Sequence, residues 1–171
     1  MKKSFIKQSL NATVIAHATK LTETWKKYNN FIAGEFGITV QQWYILLLIA
    51  GDPNILYLRE HPQEKPLMAK ELADALNVSR ANITNLLNVL IDEDLVIQTE
   101  DKIDKRRKRL TLTPKATAIL KKLETQRKKF NDALFAKITE GEKESFNQFA
   151  KKCIDIMTAN GATLTSGEKM K

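Results

Sequence analysis

The chain has 171 residues, a length that suits one domain or two small lobes sharing a core, and its 43% apolar content excludes a disordered composition. Its longest greasy stretch, "WYILLLIAG", falls short of the roughly 18 apolar residues of a membrane span, and the lysine-led N-terminus lacks the continuous apolar segment of a signal peptide. A single cysteine, Cys153, excludes an intramolecular disulfide and a four-cysteine zinc site and points to the cytoplasm, while the net charge of +8 raises the question of a polyanionic partner.

Residues 4 to 33 read as a long helix. Val14, Ala18, Leu21, Trp25, Tyr28 and Ile32 recur at steps of three and four, which makes one apolar stripe. The stripe fits either a core face or a contact between subunits. Phe36-Gly37-Ile38 is a break. Thr39-Val40-Gln41-Gln42 then has the form of a capping box, with Ile38 and Trp43 at the hydrophobic-staple positions. A buried helix follows to about Ile49, and Gly51-Asp52-Pro53 stops it. "DPNILYLREHPQEKP" reads as a loop with one turn of helix around Ile55 to Leu58.

Ala69 to Leu76 is a short helix with Leu72, Ala73 and Leu76 inward, and Asn77 suits a left-handed C-cap. Ser79 is an N-cap, with Val78 and Ile83 able to staple around it. The next helix runs to about Glu93 with Ile83, Leu86, Leu87, Leu90 and Ile91 on one face. Helix, three-residue turn and helix is the sequence form of a helix-turn-helix. Leu95 to Thr99 and Arg109 to Thr113 read as strands, so the five basic residues Lys105 to Arg109 fall at a hairpin tip. Thr113-Pro114 opens another helix, with threonine as N-cap and proline at the first helical position. Its inner face is Ala116, Ile119, Leu120, Leu123, Phe130 and Leu134, with a polar gap at Arg127. Thr139-Glu140-Gly141-Glu142 is a second capping box, opening a last helix striped by Phe146, Phe149, Ala150, Cys153 and Met157 and frayed after Asn160.

The fold class expected is therefore mainly α with a small β-hairpin wing: a winged helix-turn-helix flanked by long helices. Charge is unevenly placed on it. Lys102 to Lys115 carries seven basic residues against the single acid Asp104, whereas Leu67 to Asp101 carries two basic residues against seven acids. A focused patch fits nucleic acid. In such a module the second helix of the pair enters the major groove. With Ile83, Leu86, Leu87 and Leu90 inward, Ala81, Asn82, Thr84, Asn85 and Asn88 point outward. The candidates nearest the helix start are Ser79, Arg80, Asn82, Thr84 and Asn85. Asparagine pairs with adenine and arginine with guanine, and Ser79 at a helix N-terminus suits a phosphate. On the wing, Lys102, Asp104, Lys105, Arg106, Arg107 and Lys108 are the candidates. An arginine there can enter a narrow minor groove. Asp104, two before Arg106, is read as its holder or as a turn aspartate.

"QQWYILLLIAG", "LADALNVSRANITNLLNVLIDEDLV" and "DKRRKRLTLT" resemble the MarR family of bacterial transcription regulators, over roughly Thr39 to Leu120. The resemblance implies a homodimer whose first and last helices interlock, bound to a pseudo-palindromic operator as a repressor. It also implies release from DNA when a small, often aromatic effector enters a cleft between the dimerisation and DNA-binding parts. The regions expected are 1–38, N-terminal dimerisation; 39–114, winged helix-turn-helix; 115–160, C-terminal dimerisation; and 161–171, a flexible tail. Three features depart from the pattern: Asp94 and Ala116 stand where the family usually has glycine, and residues 52–66 are longer than the usual connection.

No enzyme is expected, since acid, base and nucleophile do not cluster and no phosphate loop, HExxH or nucleophile elbow is present. No cofactor or metal is expected either: His17 and His61 are too few and too far apart for a metal cluster. Cys153 reads as a small buried residue rather than a redox sensor. Trp25, Tyr28 and Trp43 read as packing residues, with an aromatic pocket as the other option. The alternative from another class is a winged-helix protein–protein adaptor that sets its basic wing on an acidic partner.

Overall fold

The computed structural model of the chain describes residues 9–62, 67–100 and 108–165, with side chains to Ala159. In order run α1 (Leu10–Glu35), α2 (Val40–Ala50), α3 (Leu56–Glu60), α4 (Ala69–Leu76), α5 (Arg80–Asp92), β1 (Val96–Glu100), β2 (Lys108–Leu112), α6 (Pro114–Phe135) and α7 (Glu140–Thr165). The class is the one expected: mainly α, with an antiparallel hairpin after a helix-turn-helix. No single helix among the described residues is long and apolar enough to cross a membrane. Two compact units divide after Gln126, beside the polar interruption at Arg127.

In the first unit α1 begins at Leu10, not at residue 4. Ser9 is extended (φ −117°, ψ 155°) and its hydroxyl oxygen accepts from the Ala12 N–H at 3.1 Å, the geometry of an N-cap. Residues 4–8 lie outside the described residues. The helix ends at Glu35, two residues later than the periodicity predicts. α2 follows at a bend of 81°. Its capping box is present in full: Gln42 N donates to Thr39 Oγ1 at 3.1 Å and Thr39 N donates to Gln42 Oε1 at 2.7 Å. Ile38 and Trp43, the staple pair, are both buried.

Four helices of this unit end alike. Gly37, Gly51, Asn77 and Asp94, after α1, α2, α4 and α5, all have positive φ. Behind each, the next N–H reaches back to a carbonyl five residues earlier: Ile38 to Ala33 (3.2 Å), Asp52 to Leu47 (3.0 Å), Val78 to Ala73 (3.0 Å) and Leu95 to Leu90 (2.8 Å). This Schellman ending satisfies carbonyls that a helix leaves open and turns the chain within two residues. Glycine takes the left-handed geometry freely at the first two. Asn77 and Asp94 accept it at a cost of roughly 1 kcal/mol each.

The connection after α2 holds more structure than one turn. Asp52 Oδ1 accepts from the Asn54 backbone and amide nitrogens at 2.8 and 2.9 Å, and Arg59 Nε donates to Pro53 O at 2.6 Å. Ile55 is buried and α3 starts just after it, so the helix is 56–60 rather than 55–58. The Tyr57 and His61 rings stack at 4.5 Å. Residues 63–66 lie outside the described residues.

Both strands sit one residue away from expectation. β1 is 96–100 and β2 is 108–112, paired from Val96↔Leu112 to Glu100↔Lys108. The reason lies at Thr113, which the alternation assigns to the strand. Its hydroxyl caps α6 instead, accepting from Ala116 N at 3.1 Å, so the ladder closes at Leu112. The core of this unit gathers Ile45, Leu46 and Leu48 of α2, Leu72 of α4, Ile83 and Leu90 of α5, Leu95, Leu110 and Leu123, all fully buried. Along the α1 stripe only Ile32 is buried. Leu21 is 45% exposed and Trp25 38%, so most of the stripe is no core face in the single chain.

The second unit contains the end of α6 and α7. Thr139 and Glu142 form the expected box, with Glu142 N donating to Thr139 Oγ1 at 3.3 Å and Thr139 N to Glu142 Oε2 at 2.8 Å. α7 does not fray at Asn160 but continues to Thr165. Extending a formed helix past Gly161 costs only about 1 kcal/mol, far less than nucleating one. Leu134, expected inward, is 39% exposed, and Cys153 is half-buried rather than buried. No described side chain of this unit is buried: Phe146, Phe149, Ile154, Ile156 and Met157 are all about half exposed or more.

Candidate nucleic-acid interface

α5 is amphipathic in the expected sense. Ile83, Leu87 and Leu90 are buried, and Leu86 is half-buried. Arg80, Ala81, Asn82, Thr84, Asn85, Asn88 and Val89 are exposed. Each sequence candidate on this helix therefore reaches solvent, but two are partly committed. Ser79 Oγ accepts from Asn82 N at 3.2 Å, so the residue is the N-cap and has its hydroxyl proton left to give. Thr84 Oγ1 donates to Arg80 O at 2.8 Å, which turns the hydroxyl back to the helix. The Asn82, Asn85 and Asn88 amides make no side-chain hydrogen bond among the described residues.

What fixes the far end of α5 was not legible in the sequence. The two buried polar residues among those described, Gln42 and Thr113, both serve it. Gln42 Nε2 donates to Glu93 Oε2 at 2.9 Å, tying the start of α2 to the end of α5 across 51 residues of chain. Thr113 Oγ1 donates to Asp94 O at 2.8 Å, and Thr113 N donates to Leu95 O at 3.1 Å. Lys115 Nζ donates to Glu93 O at 2.6 Å, placing a cation where the helix macrodipole is negative. Thus α2, the base of the hairpin and the first turn of α6 converge on one helix terminus. No buried side-chain polar atom among the described residues lacks a partner, so the junction costs no unpaired group. Glutamine in a capping box and a threonine N-cap already have local roles, which hides their long-range ones.

The hairpin departs from α5 directly: Leu95 follows the Schellman turn and is buried, as is Val96. Lys108, read as part of the tip, is the first residue of β2, exposed and opposite Glu100 in the ladder. Its charge is therefore partly offset by a cross-strand acid. Arg109 is on the strand too. Lys102, Asp104, Lys105, Arg106 and Arg107 lie outside the described residues, and the proposed Asp104–Arg106 pair lies there with them.

A helix-turn-helix whose second helix leads straight into a hairpin, held by side-chain hydrogen bonds at the joint, is a winged helix-turn-helix. A MarR-family model matches residues 36–107, which spans α2 through the hairpin connection. Solved structures agree over a longer stretch. Staphylococcus aureus MepR in a DNA complex matches with TM-score 0.68 at 21% identity, over 87% of this chain and 99% of that one. A MarR protein from Peptoclostridium difficile matches with TM-score 0.68 at 19% identity, over 96% and 99%. S. aureus MarR in complex with salicylate and kanamycin gives TM-score 0.70 at 20% identity, over 88% and 93%. No curated protein sequence matches. Residues 36–107 match the MarR-family model, and the chain has the fold of these solved MarR-family structures.

Proposed function

We propose that the chain is a sequence-specific double-stranded DNA-binding transcription regulator that works as a homodimer on a pseudo-palindromic operator, most simply as a repressor. The observation that carries this is the exposed, asparagine-rich face of α5 beside a hairpin whose connection holds Lys102, Lys105, Arg106 and Arg107. Ser79, Arg80, Asn82, Thr84 and Asn85 serve the major groove and its flanking phosphates. The wing, including Lys108, serves the backbone and an adjacent minor groove, with Asp104 orienting Arg106. MepR, similar in fold, has been crystallised with DNA.

The dimer reading rests on apolar exposure. Leu10, Ile15, Leu21 and Phe31 of α1 and Phe146, Phe149, Ile154, Ile156 and Met157 of α7 face solvent in the single chain. Exposed apolar surface on this scale marks an interaction site. A two-fold axis would bury it and space two copies of α5 for two half-sites. The regions 1–38 and 115–160 are accordingly assigned to dimerisation and 39–114 to DNA. A small effector that relieves repression is part of the proposal; the S. aureus MarR, also similar in fold, holds salicylate and kanamycin.

Selecting bound duplexes from a random pool tests the reading. A recovered two-fold symmetric site with half-sites about one helical turn apart is expected. Recovery of no common sequence, together with binding of an acidic protein through the wing, favours the adaptor instead.

A further inference from the structure

The exposed face of α5 has a finer order than its composition. At about 100° per residue, and with Ile83, Leu87 and Leu90 buried, the outermost line of the helix runs through Ala81, Asn85, Asn88 and Asp92. All four are exposed. Asn82 and the exposed Val89 flank this line on one side and Thr84 on the other, while Arg80 lies further round toward the buried face. The line carries no basic residue and ends on an acid. Asp92 is repelled by phosphates on both walls of a groove, so the N-terminal two turns go in deepest. The deepest residues are then Ala81 and Asn85.

Their chemistry is selective. Ala81 offers a methyl group and no hydrogen bond. Asn85 offers one donor and one acceptor in a plane. Adenine presents the matching pair in the major groove, an N6 amino donor and an N7 acceptor, whereas guanine presents two acceptors. A small apolar side chain fits the thymine methyl. Thr84 does not compete for the base edge, because its hydroxyl is turned to Arg80 O at 2.8 Å. Arg80, off the line, is left for a phosphate.

We infer that α5 reads a thymine and adenine element in each half-site: Asn85 pairs bidentately with adenine N6 and N7, and Ala81 packs on the methyl of a neighbouring thymine. The inference rests on the DNA-binding role proposed above and adds the base class that role selects.

The test uses the full chain and the duplex recovered by selection. Each adenine is replaced in turn by 7-deazaadenine, which keeps base pairing and removes N7, and each thymine by uracil, which removes the methyl. One adenine per half-site is expected at which the replacement weakens wild-type binding by roughly 5- to 150-fold. The same replacement should change Asn85→Ala binding by no more than about two-fold. Uracil at the neighbouring thymine should weaken the wild type and leave Ala81→Ser nearly unaffected. The base analogues leave the protein untouched, so folding does not enter. Guanine at the Asn85-dependent position, or equal losses in wild type and Asn85→Ala, overturns the inference while leaving DNA binding standing. Failure to bind any duplex removes the DNA role itself.

Discussion

Replacing Thr113 by valine keeps the shape of the side chain and removes one hydroxyl that serves two backbone groups. The Ala116 N–H loses its cap and the Asp94 carbonyl loses its donor, both at a site 2% exposed. A lost cap and a part-buried acceptor left without its donor together cost about 2 kcal/mol. Urea unfolding should show that loss for Thr113→Val, and Thr113→Ser should recover most of it. DNA affinity should follow the same order, because the hydroxyl also sets where α5 ends and the hairpin begins. Reading along the chain finds Thr113 as a cap, since a threonine before proline is a local signal. It does not find the bond to Asp94, which spans 19 residues. Gln42 is the same case. Its box partner Thr39 is three residues away and visible, whereas Glu93 is 51 away and is not.

Elements show the same division between local and distant causes. The starts of α2, α5, α6 and α7 are legible because each carries its own cap: Thr39, Ser79, Thr113 and Thr139. The strand bounds, not their register, are off by one residue, because the chain passes at Thr113 from the ladder into the cap of α6. The α7 box makes a pH-dependent prediction. The Glu142 carboxyl is held below its ordinary pKa, first by the Thr139 hydroxyl and then by the Thr139 backbone N–H. An acid with a depressed folded pKa stabilises the folded form above its unfolded value, and that contribution is lost as pH falls through the folded value. The start of α7 should therefore be firmest at neutral pH and loosen below the usual carboxylate range. A carbon-detected NMR titration should place the Glu142 midpoint lower in the wild type than in Thr139→Ala. Equal midpoints would remove the box from the helix's acid response.

For the whole molecule, the sequence offers two roles for the α1 stripe, core or subunit contact. The exposure of Leu21, and of every apolar side chain of α7 up to Met157 except the half-buried Ala150 and Cys153, favours the second. In the proposed homodimer, Leu21→Glu places a carboxylate in each half of the two-fold contact, where burying a charge is costly. Sedimentation equilibrium should show the dimer dissociation constant rising by at least about 100-fold, with the helical content of the monomer retained. An unchanged association constant would move the interface off α1.

The proposed contact, a basic wing and the exposed face of α5 on one duplex, shows itself in the salt dependence of binding. Each phosphate neutralised by a lysine or arginine adds about 0.9 to the slope of log K against log salt. For the wild type on its selected duplex the plot should be linear and fall with a slope of several units. Arg106→Ala should reduce that slope by about one per wing and weaken binding on all sequences alike. A flat plot, or no binding to any duplex at low salt, would rule out a wing and α5 that grip DNA together.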